Sequence, residues 1–139
     1  MLKKILLIAV ALAAIILTAC GEGNNAEAEP GSEGTLEPVP AEFAGQSNPL
    51  GADSAAEGQT IFETYCATCH GPEGHGDGPA GQSLDPKPKD LARLQAQVGD
   101  DYLFWRISDG KAGTAMVAWE GILTEEQIWQ VASFIRTLE

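Results

Sequence analysis

The chain has 139 residues, with 20 acidic and 8 basic side chains and a formal net charge of −12. This length suits one small domain with appended segments rather than several domains. The acidic balance disfavours a nucleic-acid partner, because binding phosphates requires a basic face. The three cysteines, Cys20, Cys66 and Cys69, are unevenly placed and need separate explanations.

Residues 1–19 are predicted to be an export signal. Two lysines near the start precede an apolar run over residues 5–17, which is short for a spanning helix of about 20 residues. The run ends in the sequence LTAC, which resembles the lipobox of bacterial lipoproteins. This resemblance implies cleavage before Cys20 and lipidation of that cysteine. An uncleaved N-terminal anchor is the alternative, and both interpretations place the domain outside the cytoplasm at a membrane.

Residues 20–52 are predicted to be the lipidated cysteine and a flexible acidic linker. The stretch contains glutamates, prolines and glycines but no basic residue, and its few bulky apolar residues cannot offset the entropy of ordering. A flexible tether of this length has an r.m.s. reach of roughly 30 Å. Such a reach would let a tethered domain move between neighbouring complexes. A plain spacer through the envelope is the alternative that the sequence leaves open.

The globular domain is predicted to span residues 53–139 and to begin with a helix. Ser54 and Glu57 fit a capping box that would satisfy free N–H groups at the helix start. Apolar residues then recur at helical spacing, including Ile61 and Phe62. This helix leads directly into a C-x-x-C-H motif.

The motif consists of Cys66, Cys69 and His70, and it is typical of covalent c-type haem attachment. Two thiols three positions apart on a helical turn lie close together, so each can add to one of two adjacent vinyl groups. His70 can then ligate the haem iron. We therefore predict one covalent haem c, bound through Cys66 and Cys69 with His70 as an axial iron ligand.

Three other interpretations compete for the same motif. A disulfide between Cys66 and Cys69 would leave His70 without a role. A thioredoxin-like redox pair would need a βαβ context, which this chain lacks. A zinc site would add His75, but four ligands within so short a stretch, without a second C-x-x-C, differ from the usual spacing.

The second axial position of the iron has two candidate ligands, His75 and Met116, since the mature chain has no other histidine or methionine beyond His70. His75 follows His70 too closely to reach the opposite haem face. Met116 lies farther along, in a glycine-rich stretch that lets the chain wrap the haem and return. Met116 is therefore the predicted second ligand, and an open position is the alternative.

Residues 53–139 resemble a class I cytochrome c. Gly58 and Phe62 are placed before Cys66 as in that family, where they pack on the C-terminal helix. The matching helix here covers residues 124–138 and starts with its own capping box at Thr124. The resemblance implies a small all-α fold of three to five helices wrapped around one covalently bound haem.

The family pattern Gly-x-x-Met-Pro is met around Met116, except that Val117 replaces the proline. Two further helices are predicted over residues 89–98 and 100–109, and the resemblance implies that the second lies against the haem. It also implies that the His70 ring donates to a backbone carbonyl in a proline-bearing loop, for which Pro79 is the candidate.

Ligation by histidine and methionine favours electron transfer and raises the reduction potential. The sequence therefore predicts a membrane-tethered electron carrier between redox proteins of a respiratory or photosynthetic chain, with no small-molecule substrate. A fixed subunit of a larger oxidoreductase complex, and a haem peroxidase or ligand-binding protein with an open iron position, are the alternatives. Five basic residues hint at an acidic partner face, although a solvated helix end explains them equally: Lys87, Lys89, Arg93, Arg106 and Lys111.

Overall fold

The computed structural model describes residues 36–139, so the predicted export signal, Cys20 and the front of the linker lie outside it. The described part contains five α-helices and two short 3-10 helices and no β-strand, which confirms the predicted all-α fold. The α-helices are α1 (Ala55–Tyr65), α2 (Ala67–His70), α3 (Leu91–Leu94), α4 (Asp100–Asp109) and α5 (Glu125–Ile135). The 3-10 helices cover Ala52–Ser54 and Gly81–Ser83. No helix within residues 36–139 has the length and hydropathy that crossing a membrane requires.

The core forms where α1 crosses α5. Gly58 and Phe62 are the buried residues of α1. A Cβ atom added to Gly58 would lie 1.9 Å from the carbonyl oxygen of Gln130, so only glycine allows this approach of the two backbones. Phe62 is fully buried, and its ring centroid lies 5.1 Å from that of Phe134 on α5. The predicted packing of Gly58 and Phe62 on the C-terminal helix is confirmed.

The two predicted capping boxes have different outcomes. At α5 the box is formed, because the Thr124 hydroxyl accepts from the Gln127 N–H at 3.2 Å and the Gln127 side chain accepts from the Thr124 N–H at 2.9 Å. At α1 the box is absent. The Ser54 hydroxyl instead lies 3.0 Å from the Gly51 carbonyl oxygen and 2.8 Å from the hydroxyl of Ser133 on α5. A contact with Ser133, which is distant in sequence, therefore takes the place of the expected contact with Glu57.

Helix α4 has the predicted bounds and ends at Gly110, whose φ of 67° suits glycine. Its Phe104 ring stacks on Trp129 of α5 with centroids 4.1 Å apart, which buries both rings in the core. The helix predicted over residues 89–98 is reduced to the single turn of α3. Beyond this turn, the Gln95 and Val98 carbonyl groups accept hydrogen bonds from Arg136, which follows α5.

The compact unit begins at Glu37, well before the predicted domain start at Asp53. We call residues 37–50 the lead segment. Its Phe43 ring packs against Phe104 with centroids 6.1 Å apart, and the Gly45 N–H donates to Asp101 at 2.9 Å. The Asn48 amide donates to the Trp129 carbonyl at 3.0 Å and to the Ser133 hydroxyl at 2.8 Å. The structure thus differs from the predicted flexible linker over residues 37–50. A few residues of this stretch contact α4 and α5.

Arg136, which follows α5, fixes the turn between α3 and α4. Its guanidinium donates to the Val98 carbonyl at 2.9 Å and to the Asp100 carboxylate at 2.8 Å. The backbone N–H of Asn48 donates to the other Asp100 oxygen at 3.1 Å. Burial acts to raise the pKa of Asp100, but the hydrogen bonds from Asn48 and Arg136 outweigh it and hold this pKa below its ordinary value.

We expect Asp100→Asn to be less stable than the wild type at neutral pH and equally stable in acid. A carboxyl group whose pKa is lowered by folding stabilises the fold above its unfolded pKa, and this contribution is lost as pH falls through the folded pKa. The difference in unfolding free energy, about 1 kcal/mol for a partly exposed group, should begin to fall near the unfolded pKa, about pH 4, and close once the pH is below the lowered folded pKa. Urea unfolding at several pH values measures it. Asp85→Asn, at an exposed position, is the control, and a difference that persists undiminished at low pH would contradict the prediction.

Candidate haem-binding site

One helical turn brings together the three residues of the C-x-x-C-H motif. Cys66 joins α1 to α2, and its carbonyl accepts hydrogen bonds from the N–H groups of Cys69 at 3.1 Å and His70 at 2.9 Å. Both thiols are free and partly buried, with no disulfide between them. The structure therefore does not contain the disulfide of the alternative interpretation. Two thiols and an imidazole therefore lie on one helical turn, and these residue types suit a covalently held haem.

The His70 ring is oriented by one backbone carbonyl. Its Nδ1 lies 3.3 Å from the Lys89 carbonyl oxygen. Because a carbonyl can only accept, this contact requires the proton on Nδ1, which leaves the lone pair on Nε2. Burial lowers the pKa of His70, and the Lys89 carbonyl opposes this only in part. His70 is therefore held as the neutral imidazole that a metal ion binds.

The acceptor predicted at Pro79 is corrected to Lys89. The glycine-rich segment before Pro79 lies directly on α2, since a Cβ atom on Gly78 would be 2.5 Å from the Thr68 carbonyl oxygen. The Ala80 N–H also donates to that carbonyl at 3.0 Å. This backbone contact occupies residues 78–80, and the next proline-bearing stretch, ending at Lys89, reaches the ring. Sequence alone does not distinguish the two stretches, because each contains prolines.

The thiol environment disfavours the redox-pair alternative. Burial raises the pKa of the Cys66 thiol to about 12, and the neighbouring Cys69 acts in the same direction. Such a thiol is protonated near neutral pH, whereas disulfide exchange requires a thiolate. A zinc site also lacks support, because no group of three or more metal-binding side chains suited to an ion occurs within the described residues. The His75 ring lies instead between two carboxylates. Its Nε2 is 3.7 Å from a Glu73 oxygen, and its Nδ1 is 3.6 Å from an Asp90 oxygen.

Met116 lies in the loop between α4 and α5 and is partly buried. Its carbonyl accepts from the Lys111 N–H at 2.9 Å, and its N–H donates to the Thr114 hydroxyl at 3.1 Å. A Cβ atom on Gly110 would lie 2.5 Å from the Met116 carbonyl oxygen, so the loop closes tightly at its base. We call residues 110–116 the methionine loop. These contacts hold it closed with Val117, rather than proline, after the methionine.

Aromatic residues join the methionine loop to the C-x-x-C-H motif. The ring of Tyr65, which directly precedes Cys66, contacts the ring of Trp119 at a centroid distance of 5.4 Å. The chain leaving Met116 therefore returns to the end of α1 where the thiols lie.

Exposed apolar side chains also flank the candidate ligands. Tyr65 is 46% exposed beside Cys66, and Val117 is 56% exposed beside Met116. Each is the sequence neighbour of a candidate ligand, and a haem held by these ligands would offer an apolar surface to them. Together with the free thiols and the oriented imidazole, they fit a covalently bound haem.

Comparisons with known proteins show the family of the domain. Residues 53–135 match the protein family described as cytochrome C oxidase, cbb3-type, subunit III. A cytochrome c6 from Rippkaea orientalis is 32% identical over 91 residues, which cover 63% of this chain and 73% of that protein. The family match includes the C-x-x-C-H motif at residues 66–70.

Two solved structures are similar to the described fold. A chain of the reducing HAO-like protein complex of Kuenenia stuttgartiensis has a TM-score of 0.54 and 34% identity, over 58% of this chain but only 40% of that one. Cytochrome CL of Methylophaga aminisulfidivorans has a TM-score of 0.52 and 21% identity, over 77% of this chain and 69% of its own, which shows likeness of fold alone. With the family match over residues 53–135, these findings show that the chain belongs to the cbb3-type subunit III family of class I cytochrome c domains.

Proposed function

We propose that this chain is a mono-haem electron carrier whose haem is bound by Cys66, Cys69, His70 and Met116. Membership of the cytochrome c family establishes the coarser function, which is electron transfer by a covalently bound haem. The observation that supports the finer assignment is the helical turn at the end of α1. It presents two free thiols beside an imidazole whose Nδ1 is already engaged by the Lys89 carbonyl.

Each residue has a separate task in this proposal. The Cys66 and Cys69 thiols would each add across a vinyl group of the haem, and the resulting thioether bonds would retain the cofactor in a small domain. The Lys89 carbonyl orients the His70 ring through Nδ1, so that Nε2 would be available to bind the iron. The thioether sulfur of Met116 would supply the second iron ligand. When bound, the haem supplies one-electron chemistry, and the axial ligands and burial set its potential.

A carrier is favoured over a peroxidase or ligand-binding protein because of the methionine loop. The loop holds Met116 by hydrogen bonds at both its N–H and its carbonyl, so the side chain is presented from a defined backbone. With His70 and Met116 both bound, no coordination position remains for peroxide or a small ligand.

We infer that the domain is tethered by lipidated Cys20 on the outer face of a bacterial membrane. The support is the LTAC sequence after a short apolar run. Intact mass of the protein extracted from membranes tests this inference. We expect a chain that begins at acylated Cys20, and a Cys20→Ser variant that keeps residues 1–19. A wild-type chain that begins at Met1 with an unmodified Cys20 would contradict the lipoprotein assignment.

A fixed subunit of an oxidoreductase complex is the second candidate function. The matched family is described as an oxidase subunit, and one similar structure comes from a protein complex. Purification in mild detergent separates the two candidates. A free carrier is recovered alone, whereas a subunit is recovered with other redox proteins in constant proportion.

A further inference from the structure

Glu37, the first residue of the compact unit, binds two cations at once. One carboxylate oxygen pairs with the Arg106 guanidinium, and the other lies 3.2 Å from the Lys111 ammonium. The hydrogen bond from Arg106, followed by that from Lys111, lowers the pKa of Glu37, so the carboxylate is charged at neutral pH. Residue 37 was predicted to belong to a flexible linker, so this contact has no counterpart in the sequence analysis.

Both cations belong to the base of the methionine loop. Arg106 is in the last turn of α4, and its guanidinium donates to the carbonyl of Gly110, the residue that ends the helix, at 3.3 Å. Lys111 follows directly, and its backbone N–H donates to the Met116 carbonyl at 2.9 Å. Glu37 therefore joins the helix end to the residue that closes the loop.

The geometry favours a defined contact over a loose surface ion pair. The Arg106 side chain is only 15% exposed, and its guanidinium carbon lies 3.7 Å from the centroid of the Trp105 ring. The backbone near Glu37 is also restrained, because the lead segment is bound to α4 and α5 through Phe43 and Asn48. Holding the three charges together therefore requires less ordering entropy than a pair of free side chains would.

We propose that Glu37 is a positioning residue for Met116, which acts by keeping the base of the methionine loop closed. This inference rests on the proposed axial role of Met116. Val117 follows Met116 where a proline would restrict the backbone, so the loop depends more on contacts from outside. The lead segment supplies such a contact through Glu37.

The test uses the full-length haem-loaded protein and two matched variants, Glu37→Gln and Glu42→Gln. Glu42 lies in the same segment and is exposed, and no partner of its carboxylate occurs among the described residues. The far-red charge-transfer band that marks sulfur on ferric iron is followed on heating, together with the helical circular dichroism. We expect Glu37→Gln to raise the fraction of molecules without the band about two- to fivefold below the unfolding temperature. Glu42→Gln should match the wild type.

A second variant, Lys111→Gln, removes one of the two cations that bind Glu37 and leaves Arg106 in place. It should weaken the band less than Glu37→Gln does, because the Arg106 contact persists. The double variant Glu37→Gln, Lys111→Gln should resemble Glu37→Gln alone, because the Lys111 contact is already lost without the carboxylate. If Glu37→Gln changes the band and the helical signal in parallel, the residue serves overall stability and the proposal fails. If neither signal changes, it also fails. A wild type without the band would overturn the axial role of Met116 and this inference together.

Discussion

The Gly58→Ala variant is expected to be about 2–3 kcal/mol less stable than the wild type, as found for overpacked cores. An added Cβ would lie 1.9 Å from the carbonyl oxygen and 2.5 Å from the carbonyl carbon of Gln130. Both atoms belong to the backbone of α5, so relief requires the two helices to move apart. The separation would also disturb the contact between Phe62 and Phe134.

The sign of this effect makes the prediction specific. In an exposed helix, alanine is more favourable than glycine by about 1 kcal/mol, so only the crossing of α1 and α5 can make the change destabilising. Urea unfolding of the haem-loaded protein, followed by circular dichroism, measures the free energy. Thr60→Ala, at an exposed position of α1, is the control and should unfold like the wild type or later. A Gly58→Ala protein as stable as the wild type would show that the helices do not approach this closely.

Met116→Ala should remove the far-red band and lower the reduction potential. Methionine raises the potential of haem iron, and the choice of axial ligands spans about 0.8 V across haem proteins. We expect a decrease on the order of 0.1 V, a modest part of that range. Absorption spectra and a potentiometric titration measure the two changes.

The control for this experiment is Val117→Ala, which alters an exposed neighbour of Met116. It should retain the band and the wild-type potential. If the band survives in Met116→Ala, another residue supplies the sulfur or a different transition has been observed. If the wild-type ferric spectrum is already high-spin, the second axial position is open and the peroxidase or ligand-binding alternative gains support.

The sequence predicted best those features whose determinants lie close together along the chain. The C-x-x-C-H motif contains its chemistry within a single turn. Helix α4 ends at a glycine with positive φ, and α5 starts at a capping box, so both signals are local. The crossing of α1 and α5 is long-range, and it was predicted only through family resemblance on Gly58 and Phe62.

The features that sequence did not reveal depend on distant partners. Ser54 has a good local partner in Glu57 but lies beside Ser133 of α5. The His70 ring meets the Lys89 carbonyl rather than Pro79, because backbone packing on α2 decides which loop passes it. The abundance of glutamate, proline and glycine in residues 20–52 led to the prediction that the whole stretch is a linker.

Composition describes an average over a segment, whereas the order of the lead segment depends on individual residues such as Phe43 and Asn48. The aromatic residue Phe43 and the asparagine-proline pair at residues 48–49 are the local signals of that order. The role inferred for Glu37 was invisible for the same reason, since its partners lie on α4 and directly after it.

Covalent attachment of haem at Cys66 and Cys69 is the central claim, and denaturation of the purified wild-type protein tests it most directly. The protein is unfolded, extracted with acidified organic solvent, treated with a thiol-alkylating reagent and digested for peptide mass analysis. We predict that the haem stays with the peptide containing Cys66 and Cys69 and that neither cysteine is alkylated. Haem that is lost to the solvent, with both cysteines alkylated, would contradict the account.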